Sequence, residues 1–405
     1  MVGTAISIAR VENDNRLDGP VSTPARLVAG DLRRSQWRAA AYLVPAMRAV
    51  SLVVVFGALS ACSQPASQSP PAATTPPPGS DYEGAAFEFQ AISDDVYLAV
   101  ETGNLGAWCN AVVIVNDSDV LLVESHVSPA AAWALLRELK EITDKPVRYV
   151  VNTHFHFDHL HGNQIYGDDV EIIGHEFTRQ KVLSGDSNRG RTLDYFAGFI
   201  PGRIEELEAE LAAGEEPDRT AELRHELVVL RNMRLAMDDV VPTPPNLTLT
   251  DRMTLHRGGR EIQLMFLGRG HTGGDVVVYL PGERVLVTGD LLTAGLPWMG
   301  DGYPVEWADT LERFKTLDVD VMLPAHGRAI RDFERIDRWQ AYLRDFWTIT
   351  AAMHRQGIPA EEAARRVDLR SHAAAYPRLA EIGAELLEVE RVYELLDGEM
   401  FDGGE

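Results

Sequence analysis

Hydrophobic positions along this chain follow two periods, and the switches between them predict its elements. Short apolar stretches at Phe87 to Ile92, Val96 to Glu101, Ala111 to Val115 and Val120 to Val123 are separated by turn residues such as Asp94-Asp95 and Asn116-Asp117-Ser118. They predict an antiparallel meander. From Pro129 to Ile142 the period lengthens: Ala132, Leu135, Leu136, Leu139 and Ile142 fall on one helical face. Val147 to Val151 and Val170 to Ile173 return to strand character, and Glu176 starts another helix. Between Phe177 and Asp239 two stripes, Ile204/Leu207/Leu211 and Leu223/Leu227/Leu230/Met233/Met237, flank Gly214-Glu215-Glu216-Pro217. This reads as a helical hairpin inserted among strands, a candidate cover for the active site or a contact for oligomerisation. Further strands are expected at Leu247 to Leu255, Glu261 to Leu267, Val276 to Leu280, Val285 to Val287 and Val319 to Leu323. Helices are expected at Trp307 to Leu317, Ile336 to His354, Pro359 to Val367 and Leu379 to Leu396.

The first residues follow a different logic. Met47-Arg48 precedes the apolar run Val50 to Leu59, which is too short to span a bilayer. A basic start, a short apolar run and small residues describe a secretory signal. Leu59-Ser60-Ala61-Cys62 resembles the lipobox of bacterial lipoproteins, in which the cysteine is acylated. The expected layout is therefore an N-terminal extension and lipoprotein-type signal over 1–62 and a Pro/Ser/Ala-rich tether over 63–84, too poor in large apolar residues to bury a core. Translation from Met47 is the simplest reading; the rival keeps Met1 and treats the run as a membrane anchor. Either way the protein is expected to be exported to a bacterial periplasm or cell envelope and to meet the membrane only through its anchor.

The chain has 405 residues and a formal charge of -23. That charge argues against a nucleic-acid partner, since such binding needs clustered Lys and Arg to displace counterions. The only cysteines, Cys62 and Cys109, cannot form a disulfide framework.

Strand Val147 to Val151 runs into Asn152-Thr153-His154-Phe155-His156-Phe157-Asp158-His159, three histidines and an aspartate in six positions. Imidazole and carboxylate are the donors that zinc and similar ions prefer. His154 and His156 alternate with phenylalanines, so both imidazoles point one way in an extended segment, leaving Asp158 and His159 to turn toward a neighbouring second metal. Three later strands each end near another donor beside glycine: Gly270-His271-Thr272, Thr288-Gly289-Asp290 and Ala325-His326-Gly327.

Together these segments resemble the metallo-β-lactamase-fold hydrolases, whose H-x-H-x-D-H, G-H-T, T-G-D and H-G segments occur here in that order between about Phe87 and Arg328. The resemblance implies an α/β fold, a four-layer αβ/βα sandwich, as a hydrolase domain over 85–330 with the helical insertion at 177–240. Outside the resemblance, a C-terminal helical region over 331–405 is expected to pack on that domain. The resemblance further implies two Zn(2+) per chain, with iron or manganese as alternatives accepted by the same donors. His154, His156 and His271 would hold one ion; Asp158, His159 and His326 the other; and Asp290 would bridge them. A metal-bound hydroxide is then the expected nucleophile, with Asp158 a candidate proton relay.

Departures bear on substrate. Glu124 stands where the family usually has an aspartate bracing the metal loop, one methylene longer. His126 is read as a supporting or surface residue, His161 as loop packing, His225 as solvent-facing, and Cys109 as a small buried hydrophobe. Trp298, Tyr303 and Trp307 are candidates for a substrate pocket. Asp290 occupies a place where antibiotic-hydrolysing members generally carry Cys or Ser. The expected activity is hydrolysis of a small-molecule ester, thioester, lactone or amide, the alternatives being a β-lactamase and a non-catalytic metal-binding lipoprotein.

Overall fold

Two sheets lie face to face, and each is covered on its outer side by helices. The computed structural model describes residues 75–214 and 217–398, so the signal, Cys62, most of the tether and Glu215-Glu216 lie outside the described residues. The first sheet takes its strands in chain order: β1 (Phe87–Ser93), β2 (Val96–Glu101), β3 (Ala111–Val115), β4 (Val120–Val123), β5 (Val147–Val151), β6 (Glu171–His175) and β7 (Leu247–Leu249). The first four form the antiparallel meander, and β4 to β7 run parallel. The second sheet has the order β12-β11-β10-β9-β8. Its members are β8 (Arg252–Arg257), β9 (Arg260–Phe266), β10 (Val276–Leu280), β11 (Val285–Gly289) and β12 (Val321–Pro324), antiparallel except for the β11/β12 pair.

The period of two explains the layering. In β3, Val112 and Ile114 enter the core between the sheets, while Ala111, Val113 and Val115 face outward into a second core. The inter-sheet core joins Leu98, Ile114, Leu121, Val151 and Ile173 from one side to Leu264, Val278, Val287 and Leu323 from the other. Each leucine or valine so buried contributes on the order of 1.5–3 kcal/mol by leaving water.

Helices α1 (Pro129–Glu138), α2 (Phe157–Leu160), α3 (Glu176–Ser184), α4 (Asp186–Arg189), α5 (Arg191–Ala197), α6 (Ile200–Ala213) and α7 (Pro217–Asp238) all fall between β4 and β7. Ser128 caps α1 by accepting from Ala131 N at 3.2 Å, with Pro129 at the first helical position, where it gives up no hydrogen bond. The hairpin of α6 and α7 buries Leu207, Leu223, Leu230 and Met233 in the outer core of the first sheet, so its apolar stripes are used within the chain. Its paired faces are joined by ion pairs such as Arg203–Glu226 at 2.8 Å. Helices α8 (Pro304–Phe314), α9 (Glu334–Arg355), α10 (Ala360–Ala364) and α11 (Leu386–Asp397) cover the second sheet, where Trp307, Trp339, Phe346, Val389 and Val392 share one core.

One expected strand is two. Leu247 to Leu255 is interrupted at Thr250-Asp251, where the chain leaves the first sheet and enters the second. Three helices also differ in extent: α1 tightens to a 3-10 turn over Leu139–Glu141, α10 is shorter than its apolar pattern, and α11 begins only at Leu386. Among the described residues no helix is long and apolar enough to cross a membrane.

Candidate metal centre

The donors collect at the strand ends of both sheets. From the first sheet, β5 delivers His154 and His156, and α2 starts directly after His156, whose ψ of 149° is extended. The chain therefore turns at once, carrying Asp158 and His159 to the other side of the first imidazole. Asn152 holds this turn, donating to His159 O at 3.0 Å and Asn163 Oδ1 at 3.1 Å, while Asn163 donates back at 2.8 Å. From the second sheet, β9, β11 and β12 lead to His271, Asp290 and His326. Gly289, at φ +52°, brings Asp290 close beneath Thr153; a Cβ there would lie 2.6 Å from Thr153 Oγ1.

All seven donors meet. His156 Nδ1 lies 3.1 Å from His154 Nε2 and 2.9 Å from His271 Nε2. Asp158 Oδ2 lies 3.3 Å from both His159 Nε2 and His326 Nε2. Asp290 Oδ2 is 3.3 Å from His326 Nε2, 3.5 Å from His271 Nε2 and 3.7 Å from His159 Nε2, and so belongs to both groups. Zinc bonds of about 2.0–2.1 Å in a tetrahedron imply donor separations of about 3.3–3.4 Å, and the separations here, 2.9 to 3.7 Å, bracket that spacing. His159 Nε2 and Asp290 Oδ1 are buried without a hydrogen-bond partner. Buried polar atoms are rarely left so, and two of them facing a shared space fit a cation.

The outward nitrogens are held too. His156 Nε2 faces Asp301 Oδ2 at 3.0 Å, His271 Nδ1 faces Trp298 O at 3.1 Å and His154 Nδ1 faces Thr153 Oγ1 at 3.0 Å. A proton on each outward nitrogen leaves the inward lone pair for a metal. Glu124 accepts from Thr153 Oγ1 at 2.5 Å and Thr153 N at 3.2 Å, and its Oε1 lies 3.2 Å from His159 Nδ1, an ion-pair contact without aligned hydrogen-bond geometry. Its backbone is left-handed at φ +76°, local strain retained beside the site.

Electrostatically the two halves differ. Burial, reinforced by neighbouring imidazoles, pushes His154 well down and His271 to about 3, so both imidazoles are neutral. Burial also opposes charge on His159 and His326, but Asp158 and Asp290 outweigh it and hold both above the ordinary histidine range. The same pairing outweighs burial at Asp158 and Asp290, whose carboxyls lie below theirs. His326, with 38% of its side chain exposed, is the donor that meets solvent.

A cleft open to solvent adjoins His156 and is walled by Phe155, Phe177, Leu193 and Tyr303, with Lys181 and Arg191 at its sides. Much of this wall comes from α3 to α5 rather than from the α6/α7 hairpin. Of the three pocket aromatics expected, only Tyr303 lines it. Trp307 is fully buried, donates Nε1–H to Leu291 O at 3.0 Å and sets its ring 5.4 Å from His271, so it packs behind that imidazole instead of lining the cleft. Trp298 stacks on Tyr195 at 4.5 Å and is turned to α5 by its bond to Thr192 Oγ1. Neither tryptophan lines this cleft, because each ring is packed against other side chains.

His126 is buried against Cys109 Sγ at 3.4 Å and Phe87, and burial pushes it to about 3. Cys109 donates to Asp158 O at 2.9 Å. His161 contacts Ser187 O at 3.0 Å, and His225 is exposed on α7. Neither belongs to a donor group. Asp301 and Asp275 were not singled out in the sequence. Asp275 braces the His271 turn by accepting from Thr272 N and Oγ1, and burial pushes its carboxyl up to about 7. Asp301 sits in Gly300-Asp301-Gly302, which reads only as a turn.

Residues 109–326 match the family described as the metallo-beta-lactamase superfamily. The chain is 26% identical over 278 residues to the linear primary-alkylsulfatase of Pseudomonas sp. (strain ATCC 19151), covering 64% of this chain and 49% of that protein. It is 20% identical over 246 residues to the metallo-beta-lactamase type 2 of Bacteroides fragilis, covering 58% and 77%. The solved sec-alkylsulfatase Pisa1 from Pseudomonas sp. superposes with a TM-score of 0.52 at 15% identity over 78% of this chain and 51% of that one, a likeness of fold. The chain thus spans about half the length of the alkylsulfatases it resembles.

Proposed function

Since the chain belongs to the metallo-beta-lactamase superfamily, we propose that it is a dinuclear-zinc hydrolase of a small-molecule ester, thioester, lactone or amide. One observation carries the reading: a single carboxylate oxygen, Asp290 Oδ2, stands within 3.7 Å of donors from both histidine groups. His154, His156 and His271 would hold one ion, and Asp158, His159 and His326 the other, with Asp290 between them. Bound there, the ions would polarise the scissile carbonyl and bring the pKa of water from about 15.7 to about 7. The two carboxylates offset the positive charge gathered in a buried place, and the outward partners keep each imidazole in the ligating tautomer. Asp158, beside solvent-facing His326, is placed to take up a proton and pass it out. Phe155, Phe177 and Leu193 offer an apolar wall for the acyl or alkyl part and keep bulk water from that side.

Purified protein is expected to carry two equivalents of transition metal by elemental analysis and to turn over at least one member of an ester, thioester, lactone and amide panel. Less than one tightly bound equivalent sinks the dinuclear reading, and full loading without turnover points to a binding protein. Zinc, iron and manganese are told apart in the same measurement. A chromogenic cephalosporin in the panel tests the β-lactamase alternative, which Asp290 disfavours. A second reading, a sulfate ester of an apolar alcohol, is favoured by the pairing of apolar wall with Lys181 and Arg191 at the cleft and by the alkylsulfatase relative.

Export to a bacterial periplasm or cell envelope with acylation at Cys62 is proposed from the Leu59-Ser60-Ala61-Cys62 segment. Labelled palmitate is expected to enter the wild-type chain and not Cys62→Ser; equal labelling of the two ends this idea.

A further inference from the structure

Helix α11 lies beyond the residues that match the family, yet two of its side chains grip the loop leading from Asp290 to α8 and a third reaches it through Arg191. Glu388, 6% exposed, accepts from Met299 N through Oε1 at 3.1 Å. Arg391, 2% exposed, donates Nε–H to Gly302 O at 2.9 Å, with its guanidinium 4.8 Å from the centre of the Tyr303 ring. The peptide groups they grip stand on either side of Asp301. Glu394 completes the arrangement from a distance: it accepts from Arg191 Nη2 at 2.8 Å, and Arg191 Nε lies 3.7 Å from Asp301 Oδ1. The other oxygen of Asp301 accepts from Thr192 Oγ1 and faces His156 Nε2 at 3.0 Å.

Keeping an arginine and a glutamate buried is costly unless their partners are well placed. Here the partners include the two flanks of one loop and, for Arg391, Glu394 one turn along the helix at 3.4 Å. The opposite side of α11 is anchored, because Val389 and Val392 are fully buried with Trp339 and Phe346. Burial pushes the Glu388 carboxyl up to about 8, so near neutral pH it holds the loop as a hydrogen-bonding group more than as a charge.

We propose that α11 is a working part of the metal centre: through Glu388, Arg391 and Glu394 it fixes Asp301 against His156 Nε2 and thereby sets the orientation of that imidazole. The inference rests on the dinuclear reading above. Arg391, Glu388 and Glu394 are positioning residues, acting through Asp301, since none of them reaches the donor atoms.

The test uses the full chain with cobalt(II) as probe ion. In Arg391→Met and Glu394→Gln, one of the two cobalt equivalents is expected to bind about 10–100-fold more weakly, with a changed visible spectrum, while the other is unaffected. Asp301→Asn should move the same equivalent, and Arg391→Lys should recover part of the loss. A plain stability role would lower the melting temperature without selecting one ion. Wild-type cobalt affinity and spectrum in both Arg391→Met and Glu394→Gln overturns the proposal. Should Arg391→Met fail to fold, hydrogen exchange on the wild-type chain decides: amides of 386–397 and 299–302 are expected to exchange faster after chelation than with cobalt bound, and unchanged exchange overturns it. A wild-type chain that takes up less than one cobalt overturns the dinuclear reading itself, an outcome distinct from two ions bound normally with α11 indifferent to them.

Discussion

In Asp290→Ala protein, turnover of the best substrate is expected to fall at least about a thousandfold, with bound metal dropping from two equivalents to one or fewer. The size of the effect follows from the place of one atom. Asp290 Oδ2 is the donor common to both groups, 3.3 Å from His326 Nε2 and 3.5 Å from His271 Nε2. Without it the His154 group would keep only neutral imidazoles, and on the dinuclear reading the negative charge offsetting two dications would be lost, so an unscreened repulsion would replace an attraction. Steady-state kinetics paired with elemental analysis checks this. A variant within tenfold of wild type that still carries two ions would show that Asp290 does not bridge.

Glu124→Ala is expected to cost the metal-free protein about 3–5 kcal/mol of stability and to weaken metal binding about 10–100-fold. Glu124 is 2% exposed and has no substitute: Thr153 Oγ1 and N both donate to it, and His159 Nδ1 lies 3.2 Å away. Alanine leaves three buried polar atoms facing a void, and water reaches that space poorly. Two ligands are loosened together, because Thr153 is also the outward partner of His154. Denaturant titration of chelated protein and competition with a chromophoric chelator measure the two effects separately. A midpoint unchanged from wild type in the first would remove Glu124 from the account.

The layered fold was largely readable because its cause is local. Alternation in β3 and the helical stripes of α6 and α7 each record which face meets a core, whatever that core is made of. The single strand expected over Leu247 to Leu255 failed for the complementary reason: apolar periodicity marks burial and carries no label for which sheet is joined. The donor segments were readable as well, since His154 to His159 is dense in ligand types and each later donor sits beside glycine. Their outward partners were not. Asp301 is far along the chain from His156, and a lone aspartate between two glycines looks like any turn until the fold brings them together. Trp307 shows the converse error, a side chain rightly placed near the centre by its position but assigned to the cavity when it fills the wall behind His271.

Four of the seven donors come from the first sheet and three from the second, so neither half holds a complete set. The closing pair in the chain, 154 with 326, must wait until nearly the whole domain has assembled. Ions captured by such a site enter last, after the slow search for long-range contacts is over, and they add little to the speed of folding. Their weight falls on the reverse journey: parting the sheets tears the donor set in two, and any ion bound to the native chain alone raises the barrier to doing so. The lifetime of the folded protein is thereby tied to the metal supply of its surroundings.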